Sequence, residues 1–113
     1  MSLAGLYNLN SKDPASLLRW SFNNASEHFK IQQAIFDKHH LVLPLFPIDP
    51  IPMFALDDWA RRHQTMHSGP SQVLKLQDFD LSSIDFNKPE QVTVWVMLHA
   101  QAHMAFAAAL ELT

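Results

Sequence analysis

Residues 59–67 read WARRHQTMH, and residues 95–103 read WVMLHAQAH. Each sets a tryptophan and two histidines four residues apart, as W-x3-H-x3-H, and the two copies lie thirty-six residues apart. Residues 20–28, WSFNNASEH, keep the spacing but carry Asn24 where the others carry the first histidine. On an α-helix, side chains at i, i+4 and i+8 sweep about 80° of one face over about 12 Å. The stripes Trp20–Asn24–His28, Trp59–His63–His67 and Trp95–His99–His103 therefore predict three helices, each with one matched face.

The flanking residues set the helix limits. Asp13–Pro14 reads as an N-cap followed by proline in the first turn. Leu17, Leu18, Ala25, Phe29, Ile35 and Phe36 recur at roughly helical spacing, which predicts helix one over 14–38. Helix two is expected from residue 53 or 54 to Gly69–Pro70, a pair that commonly ends helices. Asn87, with Glu90 three residues on, reads as a capping box opening helix three over 88–111. Its alanine-rich end favours helix strongly.

Between helices one and two, residues 41–52 read LVLPLFPIDPIP. Four prolines fix their own backbone angles and hold the preceding residues extended. The segment reads as a stiff apolar connector lying along the bundle. Residues 71–88 mix Val73, Leu74, Leu76, Phe79, Leu81, Ile84 and Phe86 with aspartates and serines, which suits short turns tucked over the core. Alternation at a period of two is weak throughout. The expected fold is all-α: a compact bundle of three main helices with long proline-rich apolar connectors and short extra helical turns. Residues 1–12 read as an N-terminal arm and 13–113 as a single helical domain.

Composition narrows the function classes. The chain has 113 residues, no cysteine, seven histidines, three tryptophans and two glycines. It is one small domain, and it is no disulfide scaffold, cysteine-ligated zinc module or thiol enzyme. Net charge is −3, with Arg61–Arg62 the only adjacent basic pair. Nucleic-acid binding needs a cationic cluster that is missing here. The N-terminus lacks the basic start and apolar run of a signal peptide, and the C-terminal apolar stretch is broken by His99, Gln101 and His103. The expected location is cytoplasmic or virion-associated, with no membrane partner.

Two chemistries compete for the nine stripe residues. In the first, the tryptophans anchor the core and the polar members form a structural network, with histidines bonded to one another or to connector carbonyls. In the second, His63, His67, His99 and His103 ligate zinc or another transition ion, with His28 as a fifth candidate. The first is preferred here, and with it no cofactor, because no E-x-x-H or H-E-x-x-H occurs and Glu27 is read as pointing to a different face from His28. Asp57 and Asp58 suit the N-terminal turn of helix two. Asp78, Asp80 and Asp85 do not have calcium-loop spacing and suit turn capping. No set of residues specifies nucleophile, base and oxyanion site, so no catalytic residue and no enzyme is expected.

Several stretches together resemble small uncharacterised helical proteins of tailed bacteriophages. These are the region around His28, the LP…IDPIP connector, residues 59–67, the DLSSID turn at 80–85, and residues 95–103. They span about residues 22–110, and the paired W-x3-H-x3-H is the specific element. Ala100 stands where that pattern has a polar residue, and no glycine follows the last helix. The resemblance implies a non-enzymatic, virion-associated assembly or protein-interaction protein, partnered by phage structural proteins or by itself as a homo-oligomer. Leu3, Leu6, Tyr7 and Leu9 of the arm are the candidate interface. The alternatives are a histidine-ligated metal-binding protein and a small regulator or inhibitor of a host protein.

Overall fold

Three α-helices carry the three stripes: α1 (Pro14–His39), α2 (Leu56–Leu74) and α3 (Pro89–Ala109). The computed structural model describes residues 6–43, 50–52 and 55–112, and no strand occurs among them. The all-α three-helix bundle expected from the spacing is the fold observed.

The contacts between stripes fix the direction of every helix. Trp20 lies 5.7 Å from Trp59 and 5.4 Å from Trp95 between ring centroids, and Trp59 lies 6.2 Å from Trp95. One to two turns further along, His28 meets His63, His67 and His103. Beyond them Ile31, Ile35, Phe106 and Leu110 form a second apolar cluster, with Val73 and Leu74 against it. N-terminal halves meet N-terminal halves, so all three helices run parallel. An antiparallel neighbour would set tryptophan against histidine. Parallel helices require long returns: α2 rises about 28 Å, a distance that nine or so extended residues cover. The connectors before and after α2 both exceed that length.

Several local features depart from the sequence reading, each for a physical reason. On α1, Leu17 and Ile35 are buried, but Leu18, Phe22, Phe29 and Phe36 are exposed and Ala25 is half-buried. The buried face follows Leu17, Trp20, Asn24, His28, Ile31 and Ile35 instead. Polar stripe residues thus occupy the bundle axis while large apolar side chains lie outside. α2 does not stop at Gly69–Pro70 but continues to Leu74 with Pro70 inside it. The missing donor and ring crowding of an interior proline cost about 3 kcal/mol. The added turn offsets this by carrying Val73 and Leu74 onto the second cluster. Lys75 then takes a left-handed conformation, and Leu76 N–H donates to the Ser71 carbonyl at 2.8 Å, closing the helix.

At the start of α3 the N-cap is Lys88 rather than Asn87, and no side chain caps it. Asn87 N–H donates instead to Asp85 Oδ1 at 3.0 Å, and that turn replaces the expected capping box. The N-cap of α1 is as read, with Ala15 N–H donating to Asp13 Oδ1 at 3.1 Å. Residues 71–74 belong to α2, and the rest of the 71–88 segment forms the turns foreseen for it. Asp80 accepts from Ser82 N–H and Oγ–H, while Leu81 and Ile84 insert into the core. Asp78 accepts from the Ser71 hydroxyl rather than capping a turn.

The described part of the arm, residues 6–12, packs on its own bundle. Leu6 is fully buried, and its carbonyl accepts from Trp20 Nε1–H at 3.1 Å. Leu9 lies against the same cluster, and the Tyr7 hydroxyl meets Met104 Sδ. Leu6 and Leu9 therefore belong to the chain's own core rather than reaching a neighbour, and Leu3 lies outside the described residues. Among the described helices, α3 alone is long and apolar enough to cross a bilayer by length and composition; it lies well inside the chain and buries its stripe in the bundle.

Candidate metal centre

Because the helices are parallel, the stripes stack into layers. Trp20, Trp59 and Trp95 form a floor; Asn24, His63 and His99 occupy the next turn; His28, His67 and His103 occupy the turn after that. All nine are buried. The floor is in van der Waals contact with the histidines above it. Trp59 stacks on His63 at 4.5 Å and 15°, and Trp20 lies 4.9 Å from His99.

The five histidines converge. One ring nitrogen from each of His28, His63, His67, His99 and His103 can be chosen so that all lie within 4.8 Å of one another. His63 Nε2 is 3.0 Å from His28 Nε2, 3.0 Å from His99 Nε2 and 3.1 Å from His67 Nε2. Two nitrogens each about 2.0–2.1 Å from one ion stand about 2.9–3.4 Å apart, between octahedral and tetrahedral angles. The three spacings around His63 fall within that interval.

Hydrogen bonding alone cannot account for this packing. An imidazole nitrogen offers one in-plane site, either an N–H or a lone pair. His63 Nε2 faces three other ring nitrogens, so one proton can serve only one of the three approaches. Protonating the rings is no remedy, since burial disfavours charge. It lowers the His28 pKa to about 4, and it holds His63, His67, His99 and His103 well below the usual value of 6.5, with the neighbouring histidines adding to the depression. Nδ1 of His67, His99 and His103, and Nε2 of His103, have no hydrogen-bond partner among the described residues. Each such group costs about 1–3 kcal/mol. Neutral imidazoles whose lone pairs share a focus are, chemically, a transition-ion ligand set.

This corrects the expectation of a cofactor-free chain. Five buried rings from three helices form a geometry suited to one metal ion, and the missing carboxylates weaken that argument less than the convergence strengthens it. The structure also shows what holds the connectors. Gln32 Nε2 donates to the Leu43 carbonyl at 2.7 Å, Gln64 Nε2 donates to the Phe79 carbonyl at 3.0 Å, and Ser21 Oγ accepts from Ile51 N–H at 2.9 Å. Histidines occupy the axis, so residues beside the stripe face the connectors and do that work.

Glu27, read as pointing to a different face from His28, does stay out of the convergent set, but it is buried, which the sequence reading did not foresee. It is 3% exposed, with Oε2 unpartnered and Oε1 3.6 Å from Lys30 Nζ. The signal was available: Glu27 lies seven residues after Trp20, which returns it to within about 20° of the tryptophan direction. Its carboxylate nevertheless lies outside the convergent set. Asn24 is likewise completely buried, with Oδ1 and Nδ2 both unpartnered. His28 is the least enclosed of the five rings, and it lines a surface cleft of about 220 Å³ with Gln32, Leu43, Met66 and Gly69. His28 therefore stands between that cleft and the four rings behind it.

Compared with family models, curated proteins and solved structures, the chain matches none.

Proposed function

We propose that this chain is a histidine-ligated metal protein, holding one first-row transition ion such as zinc on the axis of a parallel three-helix bundle. The observation that carries this reading is the convergence of five buried ring nitrogens, three of them around a His63 Nε2 that can share a proton with only one. Hard cations such as calcium and magnesium are unsuited, because the convergent set contains no oxygen donor. The role supported is metal binding, with all five rings spent on the ion. Protein purified without a histidine tag should carry about one transition ion per chain through gel filtration. A His63→Ala/His99→Ala double variant should carry none. Metal-free protein that neither binds nor is stabilised by added zinc or cobalt would sink the reading.

A second observation supports self-association, either with another copy or within a phage-like particle. Leu18, Phe22, Phe29 and Phe36 are 45%, 63%, 61% and 48% exposed. They recur at steps of four and seven residues along the outer face of α1, the spacing of a helix-pairing seam. Sedimentation should show a dimer or larger species at micromolar concentration, and Phe29→Asp should reduce it to a monomer. A wild-type chain that stays monomeric at high concentration excludes this seam as a self-interface.

A further inference from the structure

We infer that the ion's Asn24-facing position is left open by the protein and takes a small anion, of the size of hydroxide or azide, held by the Asn24 amide. This inference rests on the metal-binding reading.

The layers provide the argument. Two turns of three parallel helices offer six inward positions, and histidine fills five of them. The sixth, beside His63 and His99, belongs to Asn24. An asparagine amide is shorter than an imidazole and ends nearer its own backbone. Where His63 and His99 reach the focus, Asn24 therefore stops short and leaves space between its amide and the ion. The amide is completely buried with both polar atoms unpartnered, which is rare for a side chain able to make several hydrogen bonds. A ligand on the ion at that position would accept from Nδ2–H and give the amide its missing partner.

Charge selects an anion. Five neutral imidazoles around a divalent ion leave its full charge uncompensated at a site from which water is excluded, and such charge is costly to bury. Glu27, the buried carboxylate of α1, stands outside the convergent set. An anion on the ion offsets part of that charge directly. Size is limited from both sides: Trp20 closes α1 one turn below Asn24, and His28 closes it one turn above.

Cobalt-loaded protein titrated with sodium azide tests the inference, because the visible bands of Co(II) report a change in its ligands. Wild-type protein should show a saturable spectral change. Asn24→His places a sixth imidazole in the position and should keep cobalt while abolishing the azide response. Asn24→Leu removes only the hydrogen bond and should keep cobalt while weakening azide roughly tenfold or more. A cobalt-loaded wild type that is silent to azide, or an Asn24→His or Asn24→Leu variant that binds azide as tightly as wild type, overturns the inference and leaves metal binding intact. A wild type that binds no cobalt overturns both.

Discussion

Acidification from pH 7 to about 4.5 should unfold the metal-free protein, with most of the lost stability disappearing between pH 6.5 and 4. In the unfolded chain each histidine titrates near 6.5, whereas in the bundle His28 titrates at about 4 and the other four lie well below 6.5. Between those values the unfolded state binds more protons than the folded one, so stability falls as pH falls. Above 6.5 both states carry neutral rings, and the histidines impose no pH dependence. His28 alone accounts for about 3 kcal/mol across its window. His63, His67, His99 and His103, lowered by burial and then by one another, act in the same direction, and His28 alone is already a large part of the net stability of about 5–15 kcal/mol expected of a small domain. Asp80, whose carboxyl is lowered by hydrogen bonds from Ser82, acts below its ordinary value of 3.8 and so outside this window. Circular dichroism against pH should give a steep midpoint near pH 5, with uptake of several protons. Bound metal competes with protons for the same nitrogens, so the loaded protein should unfold at lower pH. A metal-free midpoint below pH 3.5 would mean that the rings are not held neutral by burial.

How far the sequence revealed this site depends on which kind of information each residue carries. The W-x3-H-x3-H spacing is local, and it predicted three helices and all five ligand candidates. The relative direction of the helices is not local, but the repeat encodes it: identical stripes stack like on like only when parallel. The proline-rich connector belongs to the same logic, because a parallel bundle needs stiff apolar returns. Ranking the two chemistries required something else. The absence of nearby glutamates weighed against metal because many metal bundles use them, yet neutral imidazoles converge without any acid. Leu18, Phe29 and Phe36 misled the reading of the α1 face for a related reason. On α1, hydrophobicity does not mark the inner face; the polar stripe does. Gly69–Pro70 misled as a helix end because the local stop signal was outweighed by packing of Val73 and Leu74 against helices distant in sequence.

Replacing His103 by leucine should raise the stability of the metal-free protein while weakening its hold on metal. Both ring nitrogens of His103 are buried without a partner among the described residues. Its neighbours are the rings of His28, His67, His99 and Phe106. Leucine is close in size and asks for no hydrogen bond, so the substitution removes a desolvation cost of about 1–3 kcal/mol without opening a large cavity. In a domain of this length each kilocalorie shifts the melting temperature by about 4 °C, which thermal denaturation of the metal-free protein will resolve. Metal affinity should move the other way, by at least about tenfold, since altering even the groups that orient a ligand costs that much. The same substitution therefore separates the two readings of the stripes by sign. If His103 belonged to a satisfied structural network, leucine would strand its partners and lower the stability of the metal-free protein. If the rings are gathered for an ion, the metal-free chain gains stability and the loaded chain loses it. A variant destabilised equally with and without metal would restore the structural network as the account of all three stripes.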